Sequence, residues 1–519
     1  MATEPYKVML VNAPNPVDGN TSGNYAVFPA LGVVTLGTQL QKQFGDNVHV
    51  SVADGGVHSK NEIKSRIAKE QPDMVGISVL TPTYGEGLDI SRYAKQQGTT
   101  TVLGADHASF FPNELIGRRD YVDFVVQAEG GEVPLTYLVG QETGRSLALP
   151  VVQNGPEKIY GRQNSRAVEV ASFPKFRVKG TYQNNDDIPN LELIADDLET
   201  LARNYNRRYG SFHDSERRPI VVNNVRGCGN GQKKKRCTYC SIWDLQLNEG
   251  NPDFFWKTVQ QYNERYGINF FFEVSDSFLT FQRYVQKLVE TKPFNPKKRD
   301  IEFEVYARAN DIVNWKDSVA MLKALNVTRV NLGLDSGDDT MLQYLRKNNR
   351  DKSGRIQSPS ELNYESVRKL ADAGMTVHAS FPLGSLGETQ QSLENTLQFI
   401  ERLADDFPDH LATLEASELV PLPHSPAWDM LTSAKTPMFD FQVDGGLEGM
   451  LHQAGINLPQ GVKERLKAKY VGEDLLDIEE LAKDWTQYFT HVAWDDIERA
   501  KRRVNRTASR IGAMYGRAI

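Results

Sequence analysis

At 519 residues with a net charge of −7, the chain is too long for one ordinary hydrophobic core and too acidic for a general nucleic-acid binder, whose phosphate partner calls for a concentrated positive surface. Its 39% hydrophobic and 24% charged residues describe a globular protein, and no apolar run approaches the roughly 18 residues of a membrane helix. The opening residues MATEPYKVMLVNAP enter a strand-like run at once instead of a basic leader and apolar core, so a cytoplasmic location is expected.

In chain order, residues 7–12 (KVMLVN) read as a buried strand of a parallel sheet, nearly continuous in apolar side chains. Residues 31–44 have helical spacing, 48–53 form a second strand, 62–70 a helix and 74–79 a third strand. A helix over 88–97, a strand over 100–103 ending at Gly104, and a strand over 124–126 ending in AEGGE continue the alternation. This pattern predicts an α/β, doubly wound, Rossmann-like sheet, whose ligands lie beyond the carboxyl ends of the strands. Residues 12–25, 54–58, 78–84, 104–109 and 128–132 then share one rim. Residues 150–218 are polar and irregular apart from a helix over 196–209, and read as a connector.

A short strand over 220–223 runs into Arg226, Gly227 and Cys228, the first of only three cysteines. Cys228, Cys237 and Cys240 crowd into one segment of a long chain, which excludes a disulfide framework and points to metal ligands. Three protein ligands leave a tetrahedral metal, or one iron of a cluster, with an open position. The interval GNGQKKKR between Cys228 and Cys237 suits an exposed excursion, and Lys233, Lys234, Lys235 and Arg236 read either as a solvated loop or as a docking patch for an acidic electron donor. Further strands are expected over 270–274, 301–306, 329–332, 375–381 and 412–419. They lead into Ser275, Asp276 and Ser277, into Arg308, into GLDSG, into PLGSLGET around Gly384, Gly387 and Glu388, and into VPLPHSPAW. Helices over 463–470, 476–492 and 494–515 close the chain, with Trp485, Tyr488, Phe489 and Trp494 readable as plain core or as pocket wall.

The stations KVMLVNAPNP, FPALGVVTLG, PDMVGISVLTPTY, TVLGADHASFFP and YVDFVVQAEGGEVPL resemble the N-terminal domain of class B, cobalamin-dependent radical S-adenosylmethionine (SAM) enzymes, and the cysteine loop with its downstream strand ends resembles their radical SAM core. Two departures stand out. The Asp-x-His-x-x-Gly signature of base-off mutases is missing, since Asp54 is followed by Gly55, Gly56, Val57 and only then His58, and the gap after the first cysteine is eight residues instead of three. A longer gap raises closure entropy only logarithmically, so three ligands can still converge on one cluster.

The resemblance implies a cobalamin-binding-like domain over 1–149, a connector over 150–218, a partial (β/α)6 radical SAM barrel over 219–431 and a helical substrate-capping region over 432–519. It implies Cys228, Cys237 and Cys240 as ligands of a [4Fe-4S] cluster. Tyr239, Ile242, Ser275, Asp276, Ser277, Arg308, Asp335 and Ser336 would contact SAM. For Arg308 the alternative is an acid partner, and for Asp335 and Ser336 a helix-capping role near Asp338. Ser78, Thr81, Gly104, His107, Glu129 and Gly130 would contact cobalamin, with His58 and His107 the available imidazoles; His107 is otherwise a loop residue capping a helix.

The implied reaction is reductive cleavage of SAM to a 5'-deoxyadenosyl radical and, with cobalamin, methylation of an unactivated carbon. Alternatives are a non-methylating cyclisation, rearrangement or oxidation with cobalamin idle or absent, and a non-catalytic metal-binding or redox-sensing protein. Implied partners are a small-molecule or natural-product substrate and a flavodoxin- or ferredoxin-type electron donor, with neither membrane nor nucleic acid.

Overall fold

The computed structural model describes residues 4–16, 26–145, 147–175, 188–210, 216–230, 236–242, 247–293, 301–347, 358–433 and 446–514. Lys233, Lys234 and Lys235 lie outside these residues, as does most of KGTYQNNDDIPN and the chain from Trp243 to Gln246. Two compact units emerge, one of Met1–Asn206 with Gly472–Leu476 and one of Arg207–Val471 with Asp477–Ile519. Among the described residues no helix is long and apolar enough to cross a membrane.

The first unit is built on a seven-stranded sheet: β1 (Tyr6–Asn12), β2 (Val48–Asp54), β3 (Met74–Ser78), β4 (Thr100–Gly104), β5 (Phe124–Gln127), β6 (Glu157–Gln163) and β7 (Arg166–Phe173), in the order β2-β1-β3-β4-β5-β6-β7. β1 to β5 are parallel. Helices must cover both faces of such a sheet, and its strands are accordingly apolar on both sides: Val8, Met9, Leu10 and Val11 are all buried. The helices Leu31–Phe44, Lys60–Glu70 and Tyr84–Gln96 supply that cover. Helix Lys60–Glu70 starts two residues before the expected position because Ser59 caps it. The Ser59 hydroxyl accepts from Glu62 N–H at 3.3 Å, and the Glu62 carboxylate accepts from Ser59 N–H at 2.7 Å. Met9, Val11, Ile63, Ile67, Val75, Ile77, Leu88, Leu103 and Val125 form the core.

The order of β1 to β5 is the flavodoxin-like one, which reverses direction between β1 and β3 and leaves a crevice beyond their carboxyl ends. The stretch read as a connector holds β6 and β7, an antiparallel hairpin that extends the same sheet from β5. Asn164 and Ser165 turn it with φ of 49° and 58°, the left-handed pair a two-residue hairpin needs.

The second unit carries six parallel strands: β8 (Pro219–Val222), β11 (Phe270–Glu273), β12 (Glu302–Ala307), β13 (Val327–Gly333), β14 (Thr376–Leu383) and β15 (Leu411–Glu418). Their order is β15-β14-β13-β12-β11-β8, an open half-barrel, and β9 (Val225–Arg226) pairs with β10 (Asn248–Glu249) beside it. Alternation sorts the side chains. Phe303 of β12 packs outward on Phe255 and Trp256 of helix Pro252–Tyr266, with ring centroids 5.9 Å apart in both contacts. The opposite face of β12 to β15 is polar. There Asn331 donates to Glu304 at 2.8 Å, Arg329 lies 4.4 Å from the Tyr209 ring, and His378 meets Glu415 at 3.1 Å.

Helices Gln460–Tyr470, Ile478–Phe489 and Trp494–Arg510 follow in this unit. Trp485 and Phe489 are core: both are fully buried, they stack at 4.6 Å, and the Trp485 indole donates to the Gly384 carbonyl at 2.8 Å. Helix Trp494–Arg510 sends Arg503 to Glu394 and Glu401 and Lys501 to Glu418. The chain then returns to β15, where Met514 N–H donates to Ala412 and Leu414 N–H donates to Met514.

Candidate functional site

The cysteine loop leaves β8 at its carboxyl end, where a parallel β/α architecture places chemistry. Asn224 anchors the exit by donating to the Asn251 carbonyl at 2.9 Å and to the Tyr284 hydroxyl at 2.5 Å. Gly227 takes φ of 94°, a conformation other residues resist, and its N–H donates to Asp276 at 3.0 Å. Cys228 and Cys240 are half-buried and Cys237 is buried. Cys240 N–H donates to the Cys237 carbonyl, Thr238 N–H to Leu345, and the Thr238 hydroxyl to the Tyr344 carbonyl at 2.5 Å.

Burial pushes the Cys237 thiol up to about 11, so the bare side chain is neutral and would ionise on metal binding. Cations surround the loop: Arg308 acts on Cys228 and Cys237, Lys347 and Arg346 on Cys237, and Arg236 on Cys240. Among the described residues no three His, Cys, Asp or Glu side chains form a group that could hold a single metal ion. A cluster takes its thiolates on separate irons, so three thiols in one loop fit an iron–sulfur group, with Arg308 and Lys347 beside them each paired to an aspartate, Asp311 and Asp335.

The residues expected to contact SAM are brought to the same strand ends, and most already have protein partners. Ser275 donates from N–H and hydroxyl to Glu273, at 3.1 and 2.5 Å. Asp276 receives Gly227 N–H, and Ser277 donates to Asp311 at 3.2 Å. The Arg308 fork is taken by Asp311, at 2.8 and 2.7 Å, and its remaining amino group reaches Asn230 at 2.6 Å; the acid-partner reading of Arg308 is the one the geometry shows. Ser336 pairs with Thr396 at 2.8 Å and accepts from Asp338 N–H at 3.0 Å, while Asp338 itself caps the following helix. Asp335 is buried at φ of 67°, accepting from the Tyr239 hydroxyl at 2.7 Å and pairing with Lys347 at 2.8 Å. Ile242 is half-buried, and its carbonyl accepts from Arg236. Asp311, Asn230 and Lys347 escaped the sequence reading. Asp311 had a signal, three residues after Arg308, whereas Lys347 lies in a turn with no motif of its own.

In the first unit Ser78 and Gly104 end β3 and β4, Thr81 follows β3, and Glu129 and Gly130 follow β5, so all lie at one end of the parallel strands. His107 is fully buried. Its Nδ1 lies 3.1 Å from the Thr81 hydroxyl and its Nε2 2.8 Å from the Asp474 carbonyl, so both ring nitrogens have protein partners. Asp474 also receives the Tyr84 hydroxyl, Arg118 and Arg119. Burial drives the His107 imidazole down to about 4. The other imidazole, His58, pairs with Asp197 at 3.0 Å.

Two buried carboxylates flank the second unit's strand ends. Burial raises Glu273 and Glu388 to about 7, against the backbone N–H groups of Asn224 and Ser275 on the first and of Gly384 and Ser385 on the second. With folded values above the ordinary 4.5, the folded state holds more protons than the unfolded one between about pH 4.5 and 7. Their contribution is therefore present at low pH and lost as pH rises through about 7. Glu388→Gln is expected to flatten the decline in thermal stability over that window, and an unchanged slope in unfolding scans would remove Glu388 from the account.

Residues 224–400 match the model of the radical SAM superfamily and residues 24–135 that of the B12 binding domain. The chain thus belongs to the cobalamin-dependent radical SAM class, with its [4Fe-4S], SAM and cobalamin cofactor set. It is 22% identical over 391 residues to an anaerobic magnesium-protoporphyrin IX monomethyl ester cyclase of Rubrivivax gelatinosus, covering 74% of this chain and 62% of that protein. It is 24% identical over 392 residues to an uncharacterized methyltransferase of Pyrococcus horikoshii, covering 73% and 74%. In fold it is similar to the cobalamin-dependent SAM radical enzyme OxsB, with a TM-score of 0.62, 16% identity and coverage of 96% and 66%. It is also similar to the radical SAM methyltransferase TsrM of Kitasatospora setae, with a TM-score of 0.56, 18% identity and coverage of 82% and 76%.

Proposed function

We infer that this protein is a radical SAM methylase acting on an unactivated carbon of a small-molecule or natural-product substrate. The observation that carries the reading is the three-cysteine loop at the carboxyl end of β8, in a chain that also holds a B12 binding domain. When bound, the cluster supplies the electron that cleaves SAM to a 5'-deoxyadenosyl radical, and cobalamin supplies the methyl group. The protein's part is positional. Cys228, Cys237 and Cys240 hold the cluster, and Asp276 sets the loop's entry through Gly227. Arg308, gripped by Asp311, fixes Asn230 within the loop, and the Asn230 amide faces the Cys237 sulfur at 3.7 Å. Ser78, Gly104, Glu129 and Gly130 line the cobalamin crevice, with neither His58 nor His107 as a cobalt ligand. A flavodoxin- or ferredoxin-type protein supplies the electron.

The cyclases among the relatives favour a second reading, a non-methylating radical reaction on the same cofactors. Anaerobically reconstituted protein, given SAM, cobalamin, dithionite and a substrate panel, separates them. A methylase releases both 5'-deoxyadenosine and S-adenosylhomocysteine and adds a labelled methyl group to its product. A substrate converted without gain of a methyl group, with deoxyadenosine and no S-adenosylhomocysteine, would establish the second reading, and no iron–sulfur absorption at all would end both.

A further inference from the structure

One cation beside the cysteine loop is built into the fold more firmly than its role in packing requires. Lys347 extends from the turn that follows helix Asp339–Tyr344, and its ammonium group reaches Asp335 at 2.8 Å. Asp335 is held in the left-handed region at the end of β13 and receives the Tyr239 hydroxyl on its other oxygen at 2.7 Å. The ammonium also lies 5.9 Å from the centre of the Tyr239 ring, a cation–π approach. Tyr239 stands between Cys237 and Cys240 in sequence, so the lysine is tied to the cysteine loop through two contacts of one side chain. The backbone repeats the tie, because Thr238 bonds to the carbonyls of Tyr344 and Leu345.

Room for this pair is made at Gly333. A methyl group there would stand 3.3 Å from the Lys347 nitrogen, a slightly tight approach, and in ordinary contact with the Asp335 carboxylate at 3.4 Å. A lysine at 347 with only a structural task could point to solvent. Here its charge is withdrawn from water and paired with Asp335 against Tyr239, the neighbour of Cys240. Removing it would leave the Asp335 carboxylate uncompensated beside the loop and disfavour added negative charge there.

We propose that Lys347 is a positioning residue that fixes a positive charge at the cysteine loop and makes the cluster held there easier to reduce. This rests on the iron–sulfur reading of the site. The step concerned is a one-electron reduction in which the electron comes from the external reductant; Lys347 gives and takes neither electron nor proton.

The test uses full-length protein reconstituted anaerobically with iron and sulfide and titrated with dithionite against mediator dyes, reading the reduced cluster by electron paramagnetic resonance. Lys347→Met keeps length and removes charge. It is expected to lower the reduced-to-oxidised ratio at a fixed solution potential by about tenfold, the effect of one charge at close range in a partly screened site. Lys347→Arg keeps the charge and is expected to stay near wild type. If Lys347→Met loads no iron while Lys347→Arg loads fully, the lysine acts in assembly of the site and not in its reduction, and the proposal is overturned. An unchanged ratio in Lys347→Met overturns it, as does a Lys347→Arg protein that behaves like Lys347→Met. A wild-type protein that takes up no iron–sulfur cluster overturns the iron–sulfur reading itself and this proposal with it.

Discussion

Cys237→Ala is expected to leave a folded protein that no longer retains iron and sulfide and forms 5'-deoxyadenosine more than about a hundredfold more slowly, since first ligands matter more than the outer partners whose loss already costs 10- to 100-fold. The side chain is small and buried, and its sulfur meets only the Asn230 amide, at 3.7 Å, among the hydrogen bonds described. Truncating it to a methyl group therefore disturbs packing little. Iron assay and the broad iron–sulfur absorption, read beside the circular dichroism of the same preparation, separate ligand loss from unfolding. Deoxyadenosine formation that survives the change would exclude Cys237 from the ligand set, and the eight-residue interval before it could then no longer be a simple extension of the cluster loop.

Trp485→Ala is expected to produce the largest loss of stability. The indole is fully buried, stacked on Phe489 with an interplanar angle of 5°, and its N–H satisfies the Gly384 carbonyl. Removing a buried aromatic of this size costs about 3–5 kcal/mol, and leaving a buried carbonyl unpaired adds to it. Calorimetry should show the transition of the second unit falling by roughly 10 °C. A drop of only a degree or two would mean that the helix Ile478–Phe489 is loosely held. The position has a functional side as well. Gly384 opens the turn whose amides bind Glu388, and Glu388 in turn accepts His491 N–H on its backbone carbonyl. Cavity formation at Trp485 therefore reaches a strand end of the half-barrel.

Much of the fold could be read along the chain because parallel strands covered on both faces announce themselves as short apolar runs. Helix Leu31–Phe44 and strands such as β1, β3 and β11 lie within a residue or two of their expected limits. The β6–β7 hairpin escaped because its strands, EKIYGRQ and RAVEVASF, mix charges into both faces, and because its turn, Asn164-Ser165, lacks the glycine that marks such loops. The crowding of the three cysteines was legible from residue type and spacing, and the motif positions around them from the family resemblance.

What could not be read was how those residues are occupied. Ser275, Ser277, Ser336 and Arg308 all carry protein hydrogen bonds to partners chosen by the tertiary structure. His107 makes the point most sharply, since the carbonyl holding its Nε2 belongs to Asp474, 367 residues further along. No local pattern signals such a partner, and the imidazole read as available for cobalt is held on both nitrogens by Thr81 and Asp474.

The return of the chain to β15 bears on the edge of the second sheet. An open half-barrel leaves an outer strand with unpaired amides and carbonyls, a ready template for a second molecule to add a strand and begin aggregation. At β15 the Met514 backbone already occupies that row by bonding to Ala412 and Leu414, and helix Trp494–Arg510 carries it there. The segment at Met514 thus guards the middle of this edge, and a change that pulls Met514 away would uncover the amide and carbonyl it covers on β15.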